Sequence, residues 1–155
     1  MSKEVPKKIT QVRLVYENKI KAADRPQVSG SGDAHTILRY NWSDQIGMLE
    51  EFNVLFLDRS NRVMAMSNIS KGGINGTVVD LRVVFATALK ARSSSLILAH
   101  NHPSGNLNPS QADINLTRDF QEAGNILKIN IIDHIILSPD GEYYSFADEH
   151  LIYSG

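Results

Sequence analysis

The chain has 155 residues, enough to bury a core in one domain without cross-links, and its 42% hydrophobic content is ordinary for a globular protein. Its 16 Lys and Arg against 17 Asp and Glu leave a net charge of −1, so no global field draws it to DNA or to an anionic membrane. With no cysteine, disulfides, thiol catalysis and cysteine-held zinc are excluded, and any metal site has to be built from His, Asp and Glu.

The opening "MSKEVPKK" is Lys-rich, is expected to fray, and has no apolar core behind it, so it does not read as a signal peptide. No apolar run approaches the ~18 residues of a membrane span, and the expected compartment is the cytoplasm. "ITQVRLVYE" (9–17) has β-branched residues in rough alternation and reads as a strand, followed by a polar linker to about residue 30. Residues 31–155 then read as one domain. Residues 33–49 carry apolar side chains at helical spacing, with Asp33 expected as N-cap. "EEFNVLFLD" (50–58) and "RVMAMSNIS" (62–70) read as two strands joined by a tight turn. After the loop "KGGING", residues 77–91 read as an amphipathic helix opened by a Thr77-x-x-Asp80 capping box.

"SLILAH" (95–100) is too apolar for a half-exposed strand and is expected at the centre of a sheet. Residues 110–124 read as a helix begun by Ser110 and ended by Gly124 at the C′ position. "KINIIDHIILS" is a strand, "PDGE" a hairpin turn and "YYSFAD" the returning strand. Phe52, Phe56, Phe85 and Phe120 fall at core-like positions. Hairpins mixed with helix–strand crossovers predict a three-layer α/β domain with a mixed sheet.

The chemistry concentrates in "HNHPSGNLNPSQAD" (100–113). Alternate residues of a strand share a side, so His100 and His102 project together and Asn101 turns away. Pro103 ends the strand. Two imidazoles at a strand end suit zinc, and Asp113, in the first turn of the next helix, can supply a third ligand with a fourth position left open for water. His-x-His alone also suits a structural strand end, and "SQAD" also reads as a Ser110/Asp113 capping box that merely starts a helix.

The stretch resembles the JAMM, or MPN+, metalloprotease motif, Glu…His-x-His-x7-Ser-x2-Asp, matching every position of its second half. "LILAHNHPSG" and "DHIIL…GEYYSFAD" resemble the RadC branch of that superfamily, over about residues 30–152. The resemblance implies a cytidine-deaminase-like JAMM/MPN fold and a Zn2+ ion on His100, His102 and Asp113. It implies Glu50 as general base, two residues before Phe52 in "EEFNVLFLD", with Glu51 on the other side of the strand. It implies Ser110 as hydrogen-bond donor to the oxyanion, and hydrolysis of a peptide or isopeptide bond. Asp133 or His134 is a candidate to orient a ligand from behind, while a purely structural role suits either equally. His35 and His150 are expected to be structural.

RadC-like chains carry a helix-hairpin-helix region before this domain. The residues before position 30 contain no GxG-type hairpin pair, so DNA association is expected to be weak. The rival readings are a DNA repair-associated accessory protein and a non-catalytic interaction domain. The sequence names neither a substrate nor an oligomeric state.

Overall fold

The computed structural model describes residues 10–13, 15–72 and 78–152. Three helices, α1 (Ser31–Asn41), α2 (Leu81–Lys90) and α3 (Gln111–Leu127), surround five strands: β1 (Glu51–Leu57), β2 (Val63–Lys71), β3 (Ser95–Asn101), β4 (Asn130–Leu137) and β5 (Tyr143–Ser145). A short 3-10 turn, Ala22–Asp24, precedes them. The strands form one mixed sheet in the order β2-β1-β3-β4-β5. The β3–β4 pair is parallel and the other neighbours are antiparallel.

Every residue of β1 and β3 is buried, as the near-continuous apolar runs require of strands covered on both faces. On one face Phe52, Val54, Phe56, Leu96 and Leu98 pack with Val84, Phe85 and Ala88 of α2 and Phe120 of α3. On the other, Leu55, Leu57, Ile97 and Ala99 pack with Ala34 and Leu38 of α1. The domain is therefore the expected three-layer α/β arrangement. All four expected phenylalanines are core residues, each contributing ~1.5–3 kcal/mol by burial.

Several local expectations are corrected. Residues 10–13 and 15–17 form no strand. Val12 and Val15 are exposed, so the alternation there has no apolar face to bury. Helix α1 starts earlier and stops sooner than 33–49. Gly30 is its N-cap, and Asp33 reaches back from the first turn to accept the Ser29 backbone N–H at 2.8 Å. After Asn41 the backbone at Trp42 turns extended, and Ser43 Oγ accepts from Gln45 N and donates to Glu51 Oε2. Those polar bonds divert the chain into turns.

Asp80 is itself the N-cap of α2, its side chain accepting from Arg82 N, while Thr77 lies outside the described residues. Helix α3 runs through Gly124 and ends at Lys128, which adopts the left-handed conformation (φ 59°). Gly124 serves packing instead: a Cβ there would stand 2.3 Å from the Ile129 carbonyl oxygen. The last strand spans only Tyr143–Ser145: Phe146 N still reaches His134 O of β4, but the chain then turns, with Glu149 N on Ser145 O and Leu151 N on Phe146 O.

Candidate metal centre

The site sits where β3 ends and α3 begins. His100 occupies the next-to-last position of β3, opposite Phe52 of β1, and the two rings stack with centroids 6.3 Å apart. The ladder continues one step beyond the strand, since His102 N donates to Leu137 O of β4. Pro103 and Ser104 then form a turn closed by Gly105, whose φ of 85° is open mainly to glycine. This reversal brings the Asn106 carbonyl back onto His102, 2.5 Å from Nδ1. A carbonyl only accepts, so the neutral His102 ring carries its proton on Nδ1 and leaves Nε2 unprotonated.

Ser110 caps α3 with a reciprocal box. Its hydroxyl accepts from Asp113 N at 3.0 Å, and Asp113 Oδ2 accepts from Ser110 N at 2.8 Å. The capping reading of "SQAD" and the ligand reading are therefore both realised, because the box is what aims the Asp113 carboxylate. Its Oδ1 lies 3.3 Å from His100 Nε2 and its Oδ2 3.4 Å from His102 Nε2. The two Nε2 atoms are 2.9 Å apart.

The ligand atoms of His100, His102 and Asp113 all lie within 4.8 Å of one another. Two imidazole nitrogens and one carboxylate oxygen form a donor set suited to zinc, an ion that in catalytic sites takes three protein ligands and a water. Without metal, and while a histidine is protonated, the same cluster is an ion pair. Burial opposes the charge on Asp113, but hydrogen bonds from His100 and His102 outweigh it and hold the carboxyl well below the usual range. Burial likewise opposes charge on His102. The Asp113 carboxylate, the Asn106 carbonyl and the nearby charge of Glu50 win, and its pKa is raised.

The adjacent acids Glu50 and Glu51 go opposite ways. Glu51 is buried on the α1 side, 2.9 Å from Ser43 Oγ and 3.1 Å from Lys71 Nζ. It lines a separate polar cleft of about 370 Å3 with Asn53 and Asn68. Glu50 is half-buried just before β1 and acts electrostatically on His102. Its backbone carbonyl accepts from Gly72 N at 2.8 Å, which extends the β1–β2 ladder to it.

Two residues of the candidate pair at 133–134 also separate. His134 is fully buried behind His100, with its Nε2 2.7 Å from His100 Nδ1. Burial first, then the charge of His100, drives its pKa well down. Asp133 points away from the metal position, accepting from Ser145 Oγ at 2.6 Å and from Ala147 N at 3.0 Å, and so fastens the turn after β5. His35 stacks on Tyr143 at 4.4 Å, a structural role. His150 takes a left-handed turn conformation at the surface.

Sequence reading missed two residues. Asn101 is not idle: its Oδ1 accepts from Glu51 N at 2.7 Å, and its Nδ2 donates to Ile46 O at 2.7 Å and Leu49 O at 2.8 Å. It pins the segment that delivers Glu50. Thr117 stands one helical turn after Asp113 and bonds both Asp113 O and His134 Nδ1. Its i+4 spacing from Asp113 was the available signal.

Among the described residues no helix is long and apolar enough to cross a membrane. The RadC-like JAB domain family matches residues 28–151. The chain is 50% identical over 125 residues to a UPF0758 protein of Flavobacterium johnsoniae, covering 79% of this chain and 52% of that protein. It is 45% identical over 103 residues to a UPF0758 protein of Porphyromonas gingivalis, covering 66% and 45%. A UPF0758 protein of Methanosarcina mazei is 38% identical over 126 residues, covering 81% and 54%. The chain thus spans about half the length of these curated relatives. On the family match and these identities, the chain belongs to the RadC-like JAB domain family.

Proposed function

We propose that this domain is a zinc-dependent hydrolase that cleaves a peptide or isopeptide bond. The observation that carries the reading is the convergence of His100 Nε2, His102 Nε2 and the Asp113 carboxylate at the rim of the sheet. Zinc held there would polarise the scissile carbonyl and acidify water.

The chain's own groups complete the reaction. Glu50, on the His102 side of the site, accepts the proton of the attacking water and passes it to the leaving amine. Ser110 has spent its oxygen lone pair on Asp113 N, which leaves its O–H free to donate to the oxyanion. A Ser hydroxyl can do both at once, so the cap also fixes the donor's position.

A protein or peptide substrate fits this chemistry better than DNA. Nucleases that use metals commonly clamp the phosphate between two ions, and the described residues offer one three-residue group. The balance of 16 basic against 17 acidic residues predicts weak, steeply salt-dependent DNA binding. The test pairs hydrolysis of a panel of peptide and isopeptide substrates with DNA binding and cleavage, all with the zinc-loaded protein. Zinc-dependent amide cleavage abolished by Glu50→Gln supports the reading. Tight DNA binding near physiological salt, or DNA cleavage abolished by His100→Ala, overturns it.

A further inference from the structure

An imidazole nitrogen can ligate a metal only if its proton sits on the other ring nitrogen. For His102 the Asn106 carbonyl enforces this. His100 has no carbonyl against its Nδ1; it has another imidazole, that of His134, at 2.7 Å. Such a contact works in either direction, so something further along has to choose.

Resting on the zinc reading above, we propose that Thr117 and His134 form a buried relay that fixes His100 with its proton on Nδ1 and its Nε2 bare toward the metal. Thr117 sets the direction of the relay. Its hydroxyl lies 2.7 Å from the Asp113 carbonyl oxygen and 2.6 Å from His134 Nδ1. The hydroxyl has one proton, and the carbonyl has none to give, so that proton goes to Asp113 O. The 2.6 Å contact is then a hydrogen bond only if His134 Nδ1 carries a proton and donates it.

His134 is 0% exposed, enclosed by Phe146 at 4.6 Å and Phe52 at 5.7 Å. Its two polar partners are a hydroxyl and an imidazole, neither of them an anion. A buried charge there would be uncompensated, so the ring is neutral with its single proton on Nδ1. Its Nε2 is therefore an acceptor, and His100 Nδ1 has to donate to it. The remaining nitrogen of His100, Nε2, is left bare, 2.9 Å from His102 Nε2 and 3.3 Å from Asp113 Oδ1.

The relay closes on itself. Asp113 contributes its carboxylate to the metal position, and its backbone carbonyl is the end acceptor that sets the tautomer of His100. Thr117 and His134 are positioning residues; neither touches substrate.

The experiment uses the whole chain in wild-type, Thr117→Val, Thr117→Ser and His134→Phe forms. Ring nitrogens are assigned by long-range 1H–15N spectra of the metal-free proteins, read at the alkaline plateau of a pH series. Zinc affinity is then measured by competition with a chromophoric chelator, with circular dichroism confirming that each variant folds. The expected wild type shows both His134 and His100 as Nδ1–H tautomers.

Thr117→Val removes the acceptor, frees His134 to carry its proton on Nε2, and so pushes the His100 proton onto its ligand nitrogen. Its zinc affinity should fall about 10–100-fold, and His134→Phe should fall likewise. Thr117→Ser should restore both the tautomer and the affinity. An Nε2–H tautomer for His100 in the wild type, or a Thr117→Val protein with unchanged tautomers and affinity, overturns the relay. Absence of zinc binding in the wild type would sink the metal reading alone, because the ring spectra still decide the relay.

Discussion

The backbone N–H of Glu51 donates to Asn101 Oδ1 at 2.7 Å, across the β1–β3 ladder and one residue from each of His100 and His102. The same side chain holds the carbonyls of Ile46 and Leu49. The residue between the two histidines therefore fixes where the chain enters β1, and with it the position of Glu50. Three polar groups depend on it, the Glu51 N–H fully buried and the two carbonyls part-buried. Asn101→Ala should cost about 2–3 kcal/mol, at ~1–3 kcal/mol for the buried orphan and less for the other two. Urea unfolding measures this, and a loss below about 0.5 kcal/mol would mean that the clamp is not formed in solution.

Gly124 gives a second stability test with opposing contributions. Alanine in a helix interior is favoured over glycine by ~1 kcal/mol. Here its Cβ would meet the Ile129 carbonyl oxygen at 2.3 Å, on backbone that cannot yield cheaply. Overpacking of that kind costs ~1–3 kcal/mol, so Gly124→Ala should lower the urea midpoint, where a helix-interior glycine with open space around it would let it rise.

These two residues also show what local sequence can and cannot carry. His-x-His at a strand end, the Ser110/Asp113 box and the side of Glu50 were readable, since each depends on alternation or on spacing along one element. Gly124 looked like a helix stop because a glycine followed by a β-branched strand carries that local signal; its reason lies in the approach of the strand that follows. Asn101 was assigned away from the metal correctly, yet its partners come from a loop some 50 residues earlier in the chain. The choice of His134 over Asp133 required the β3–β4 register, which puts His134 beside Leu98 and under His100. The N-terminal stretch alternates like a strand but has no face to bury.

The two adjacent glutamates should separate cleanly. Glu50→Gln should keep the fold and the zinc and lower hydrolysis of any cleaved substrate by ~10²–10⁴-fold, the usual range for a lost general base. Glu51→Gln breaks the ion pair between buried Glu51 and half-exposed Lys71 and should reduce stability while leaving zinc affinity near wild type. Loss of activity without loss of stability in Glu51→Gln would exchange their roles.

The charge state of the cluster sets a pH dependence. The raised pKa of His102 means that its ion pair stabilises the metal-free fold fully below its ordinary value of 6.5 and is lost as pH rises through the raised value. Asp113 is the other half of that pair, and its depressed pKa means that on the acid side the contribution is complete above the ordinary carboxylate range and is lost as pH falls below it. Zinc has to displace the His102 proton, so its affinity should tighten as pH rises from about 6 to 8. The increase in melting temperature on adding zinc should widen over the same interval. A constant increment would show that no proton is displaced from His102.

The central claim, one zinc ion on His100, His102 and Asp113, is tested most directly by titrating metal-stripped protein with zinc against a competing chelator and counting bound metal by elemental analysis. The account predicts one tightly held zinc per chain in the wild type and loss of most of it in His100→Ala, His102→Ala and Asp113→Ala. Full zinc retention in both single histidine variants would contradict it.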